Sequence, residues 1–97
     1  MESLREIFIK VFDLDLPISG GQGQSVEDPI VIDLEKDGVA LEYKIIQLIH
    51  ELGGKKYKIE RQELINQGNR QIDKISVSLD DEPYGVRNFY FDITKSF

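Results

Sequence analysis

The chain contains no cysteine and no tryptophan, and only one histidine, one methionine and three prolines in 97 residues. Without cysteine there can be no disulfides, which small secreted domains use to supplement a small core. A reducing compartment is therefore expected, and the cytoplasm is the expected location. The same absence removes thiol nucleophiles and thiolate metal ligands. With His50 as the single histidine, a zinc or iron site is not expected, and no metal or other cofactor is assigned. A Ser-His-Asp unit would have to use His50, and no G-x-S-x-G elbow presents a nucleophile beside it. His50 instead reads as a residue near a helix C-terminus, where a protonated imidazole is favoured.

Long apolar runs are also missing. Nothing approaches the roughly 18 consecutive residues of a membrane span, so no membrane association is expected. The opening MESLREIFIKVF lacks the basic segment, apolar stretch and small-residue cleavage site of a secretory leader. Positive charge is in deficit, with 12 Lys and Arg against 18 Asp and Glu. Binding to a phosphate backbone needs clustered cations that release counterions, so no nucleic-acid partner is expected.

What remains is a balanced globular composition. Apolar residues make up 40% and charged residues 31%, which sets the chain apart from disordered sequences. The length suits a single domain over residues 1–97, with one core and little room for a deep cleft. Charge is unevenly spread. Residues 1–43 hold ten acids and three bases, whereas residues 44–97 hold eight acids and nine bases. An acidic face of this kind would attract a basic partner.

The apolar pattern predicts an α+β fold in the order α-β-α-β-β-β. Leu4, Ile7, Phe8, Val11 and Phe12 follow one helical face over 3–13, and Ser3 with Glu6 has capping-box spacing. Residues 14–29, with Pro17, Pro29 and Gly20, Gly21 and Gly23, read as a long loop. The nearly continuous apolar run from Pro29 to Leu34 reads as a strand covered on both faces. Leu41, Ile45, Leu48, Ile49 and Leu52 form a helical stripe over 39–52. Asp37 is placed to cap it, and Gly53-Gly54 to stop it. Strand patterns follow at 57–65, 75–79 and 89–93, with turns at 66–69 and 80–85. Short connections imply an antiparallel meander. The expected architecture is an antiparallel sheet of about four strands with both helices packed on one face, the Leu41–Leu52 stripe covering Val77 and Phe91.

Four segments are candidate sites. Asp33 to Gly38 resembles the opening of a calcium loop, but its twelfth position is Lys44 rather than a bidentate Glu, and a polar β-to-α turn explains it better. Asp80-Asp81-Glu82 reads as a solvated hairpin turn. Lys55, Lys56, Lys58 and Arg61 surround Tyr57 and read as a charged edge strand that discourages aggregation. The fourth, Ser19-Gly20-Gly21-Gln22-Gly23-Gln24-Ser25, lacks the Lys of a Walker loop and the G-x-G-x-x-G of a dinucleotide fold. It lies in the longest expected loop. Such loops are often functional, and Ser19, Gly20, Gly21, Gln22, Gly23, Gln24 and Ser25 are the expected partner-binding residues.

The run from Leu16 to Ile32, LPISGGQGQSVEDPIVI, resembles a segment of small uncharacterised bacterial proteins. The ending Phe89-Tyr90-Phe91-Asp92-Ile93-Thr94 is similar to theirs as well. This resemblance implies a bacterial origin and brings no activity, ligand or catalytic residue with it.

The expected function is a non-enzymatic protein-interaction module, of accessory or inhibitor type, with an acidic N-terminal half and a protein partner. The alternative is a small-ligand or divalent-metal-binding domain, or a minor enzyme. A homodimer through an open sheet edge, or through the Phe89-Phe91-Phe97 region, is a third expectation.

Overall fold

In the computed structural model, residues 3–54, 56–79 and 82–96 are described, with residues 82–84 described by their backbone alone. Helix α1 spans Leu4–Phe12. The Ser3 hydroxyl accepts the Glu6 N–H at 3.2 Å, which satisfies one of the donors that a helix start leaves orphaned. Leu4 and Phe8 are buried, whereas Val11, on the expected apolar face, is 55% exposed.

The segment read as loop 14–29 contains a strand, β1 (Ile18–Gly20). Three residues that include a glycine carry almost no β signal of their own. They become a strand by pairing antiparallel with β2 (Ile30–Ile32), Ile18 opposite Ile32 and Gly20 opposite Ile30. Helix α2 then spans Gly38–Gly53. Asp37 occupies its N-cap position in the left-handed conformation, φ 62°, and its side chain makes no capping bond, contrary to expectation. Gly54 closes the helix at φ 68°, where a side chain would be strained.

The remaining strands are longer than their apolar patterns suggest: β3 (Tyr57–Gln67), β4 (Arg70–Leu79) and β5 (Glu82–Asp92). Polar Gln71, Asp73 and Lys74 hid the first half of β4. β5 starts where a turn was expected, at Glu82, and Asp80 and Asp81 lie outside the described residues. The described order is α-β-β-α-β-β-β.

Among the described residues the sheet has five strands in the order β1-β2-β5-β4-β3 and is mixed, which corrects the expected antiparallel four-stranded sheet. β3–β4–β5 is the antiparallel meander, but β2 joins β5 in parallel, with Ile30 opposite Phe91. Hairpin logic could not find this pair, because sixty residues separate its members and α2 lies between them.

Ile75 opposes Phe89, and Ile30 opposes Phe91, so these side chains leave the sheet on one side. They merge with Leu4 and Phe8 of α1 and with Leu41, Ile45, Ile46 and Leu48 of α2 into a single apolar cluster. The stripe ends before Leu52, which is 44% exposed. Phe89 and Phe91 are core residues at 2% and 0% exposure, so they cannot form the expected dimer surface, and Phe97 lies outside the described residues. The Cα radius of gyration is 13.0 Å, the compactness expected of a domain this long. Among the described residues no helix is long and apolar enough to cross a membrane.

Phe91→Ala empties a fully buried site at the junction of β2 and β5. It is expected to cost about 3–5 kcal/mol in urea unfolding, whereas Leu52→Ala should stay within about 0.5 kcal/mol of the parent. Equal costs at the two sites would contradict this placement of the core.

Candidate functional site

The glycine segment divides into two parts. Ser19, Gly20 and Gly21 form one wall of a groove of about 330 Å³, and Ser3, Leu4, Arg5, Glu6 and Ile9 of the α1 end form the other, above Ile18. The second part folds inward. The Gly23 N–H donates to the Asp28 carbonyl at 2.8 Å, and the Gly23 carbonyl accepts the Tyr90 N–H at 3.0 Å. The Asp28 carboxylate accepts the Gln22 N–H at 3.1 Å.

Two of the glycines are required by this packing. A Cβ on Gly21 would collide with the Asp28 carboxylate, and one on Gly23, at φ 77°, would sit 2.8 Å from Ile30. Of the expected partner-binding residues, the structure therefore brings Ser19, Gly20 and Gly21 to the groove. It commits Gln22 and Gly23 to closing the loop, and Gln24 and Ser25 do not line the groove.

β1 is an edge of the sheet. Its hydrogen-bonding direction follows from the ladder. Gly21 N–H donates to the Pro29 carbonyl at 2.8 Å, and Asp33 N–H donates to the Pro17 carbonyl at 2.9 Å. Bonded pairs alternate along an antiparallel ladder, so residues 17, 19 and 21 address β2 while Ile18 and Gly20 turn their backbone groups to the open edge. The Ile18 N–H turns back to the Leu16 carbonyl at 2.8 Å. The Ile18 carbonyl and both Gly20 groups point to the open edge, and both residues line the groove.

The charges around the groove are mainly acidic. Arg5 pairs with Asp15 through Nε at 2.6 Å and Nη2 at 3.0 Å, and this pairing holds the Asp15 carboxyl below the usual carboxylate range. Asp33 lies close enough to act on Arg5 as well, and Glu6 lines the groove itself.

A second constellation was not found by sequence reading. Glu42 lies outside the apolar stripe read along α2, yet it is 0% exposed. It follows Leu41 of the main stripe and repeats at Ile46 and His50, both buried, so α2 buries a second row at i, i+4 and i+8. Across from it on β4 is Asp73, 3% exposed. The Asp73 carboxylate accepts Gln62 Nε2 at 2.5 Å, and Gln62 Oε1 accepts the Tyr43 hydroxyl at 2.8 Å.

Among the described residues no donor faces either oxygen of the Glu42 carboxyl. Only a carboxylic acid, which carries its own proton, can bond to a neighbouring carboxylate. Burial, then hydrogen bonding to Asp73 and its negative charge, push the Glu42 pKa up to about 9. A Glu42 carboxyl that keeps its proton at neutral pH therefore lies beside Asp73, between α2 and the sheet. The only sequence signal was Glu42 beside Leu41, which a wider apolar arc on α2 would have caught.

His50 is 4% exposed and stacks on Tyr57, with ring centroids 4.2 Å apart. Its Nδ1–H donates to the Ile46 carbonyl at 2.7 Å, and Nε2 is buried without a partner among the described residues. Burial lowers its pKa; the Ile46 bond opposes this and the Arg87 charge adds to it. The imidazole is thus neutral and packed, not a protonated group serving the helix end. Among the described residues, no three His, Cys, Asp or Glu side chains converge as metal ligands. No protein-family model, curated protein or solved structure matches the chain.

The buried acid has a pH signature. Glu42 is protonated in the fold but ionises near its ordinary pKa once unfolded, so its contribution is full below about pH 4.5 and fades as pH rises toward about 9. Between about pH 7 and about pH 9 stability is expected to fall by up to ~1.4 kcal/mol per pH unit. Glu42→Gln keeps a donor for Asp73 and cannot ionise, so urea midpoints of this variant should be nearly flat across that range. An unchanged slope in the variant would rule out Glu42 as the source.

Proposed function

We propose that the chain is a non-enzymatic protein-interaction module of accessory or inhibitor type. It takes an extended, basic segment of a partner protein along the open edge of β1. The observation that carries this reading is the coincidence of a sheet edge that no described strand covers with the α1–β1 groove. An extended peptide laid there adds a strand, bonding to the outward Ile18 and Gly20 backbone groups, while alternate side chains enter the groove over Leu4, Ile9 and Ile18. Glu6, Asp15 and Asp33, set against Arg5, favour Lys or Arg on the incoming strand.

The groups best suited to proton transfer support a binding role rather than a catalytic one. Glu42, Asp73 and His50 are all under 5% exposed, and none lines the groove. A substrate in the groove would meet backbone amides, the Ser3 and Ser19 hydroxyls, the Glu6 carboxyl and an ion-paired arginine.

Selection from a random peptide display library is expected to enrich sequences in which Lys or Arg alternates with apolar residues. In amide NMR spectra, such peptides should shift Ile18 to Gly21. Ile9→Arg places a like charge in the groove and should weaken them about tenfold, or ~1.4 kcal/mol, without changing thermal stability. Selection that enriches nothing, or binders whose shifts map elsewhere, would remove the proposal.

A further inference from the structure

β3 forms the edge of the sheet opposite β1. It is eleven residues long and mostly exposed. Its register against β4 passes from Ile59–Val77 to Arg61–Ser76, so Glu60 is an extra residue. This bulge determines which side each side chain takes. Tyr57 stacks on His50 and Gln62 bonds Tyr43, so these two face α2, and Ile59 and Leu64 share their side by register. On the other side Glu60 accepts the Ser78 hydroxyl at 2.9 Å, and Arg61 pairs with Glu63 at 2.8 Å; Lys58, opposite Ser78, lies with them.

We propose that β3 recognises a second copy of this chain. The two β3 strands pair antiparallel about a two-fold axis that is perpendicular to the sheet and passes between Glu60 and Arg61. The sheets then join into one.

Such an axis does not turn the sheet over, so opposing residues must lie on the same side. In an unbroken strand that condition forces one residue to face itself. The bulge in β3 changes this, because placing bulge against bulge keeps every opposing pair on one side. Toward the helices, Tyr57 faces Leu64 of the second copy and Ile59 faces its Gln62. Away from them, Lys58 faces Glu63 of the second copy and Glu60 faces its Arg61. Each pair occurs twice, and all four charged residues meet the opposite sign.

The backbone suits the same pairing. Gly68-Asn69 is a two-residue turn with Gly68 at φ 60°, so the closing Gln67–Arg70 pair is hydrogen-bonded. Bonded pairs alternate from there through Ile65, Glu63 and Arg61. Gln62 and Leu64 therefore turn their backbone groups to the edge. Ile59 and Leu64, 36% and 46% exposed, would gain cover.

Charged edge strands usually prevent association, but they do so with charges that repel in every register. Here the order Lys58, Glu60, Arg61, Glu63 reverses sign about its centre, so it repels most partners and fits itself. Glu63 exchanges Arg61 of its own strand for Lys58 of the second copy. The β1 groove lies at the far edge and stays open in the dimer.

Sedimentation equilibrium of the full chain, from micromolar to millimolar concentration at low salt, tests this. A reversible dimer is expected. Glu63→Lys sets lysine against Lys58 at both ends and should weaken the dimer about tenfold or more. The exchange K58E/E63K should restore it to within about threefold. As the chain lacks cysteine, K58C/E63C can bridge only across the interface. It should oxidise to a covalent dimer, while K58C alone, with its two copies far apart, should not. Circular dichroism checks the fold of each variant. A chain that stays monomeric, a dimer indifferent to Glu63→Lys, or K58C/E63C linking no better than K58C would each overturn the proposal.

Discussion

The parallel pairing of β2 with β5 holds the molecule together. On one side of it is a short unit, α1 with the three-residue strands β1 and β2. On the other is the meander β3–β4–β5. Strand pairs this short are marginal alone. Ile30 beside Phe91 gives them a shared sheet, and α2 closes over the junction with Leu41, Ile45 and Ile46. The groove exists only because this junction holds. Ile18 is anchored by Ile32, Ile32 belongs to β2, and β2 is fixed to the meander through β5. The loop 21–29 is tied to the same place, since the Gly23 carbonyl accepts the β5 amide of Tyr90.

Beneath α2 the packing includes a protonated Glu42 beside Asp73. An ionised pair would cost several kcal/mol in such surroundings, and a leucine would fit the hydrophobic pattern better. The pair links α2 to β4 and, through Gln62 and Tyr43, to β3. It gives the helix one polar register over a largely apolar surface, where hydrophobic contacts alone would tolerate sliding. With His50 also held neutral, the ionisable groups of α2 that face the sheet serve docking.

The two sheet edges differ in a way that follows from their residues. β1 is short, contains glycine, and lies beside a helix end with which it forms a groove. β3 is long, carries alternating charges and is offset by a bulge. An edge of the first kind suits a flexible foreign segment, because the receiving strand contributes backbone rather than side chains. An edge of the second kind discriminates by side-chain sign. The acidic balance of residues 1–43 and the near-neutral balance of the rest acquire a spatial meaning here, since the two edges come from the two halves.

The sequence by itself determined the elements whose signals are local. The Ser3 cap, the Leu41–Leu48 stripe, the Gly54 stop and the alternation of Ile75 and Val77 each depend on neighbours within a few residues, and each is found in the structure. It also marked the glycine segment as a place of interest, although only Ser19 to Gly21 reach the groove. Tertiary structure decided the rest, because those features depend on contacts that chain order does not encode. β1 is a strand only against β2, and β4 extends through Gln71 and Asp73 only because its partners continue. Glu42 is buried only because the docked helix turns it toward the sheet, beside Asp73. A parallel pair across sixty residues leaves no periodic trace in either segment. Short-range patterns specify what a segment can become, and long-range hydrogen bonding and burial select which of those forms persists.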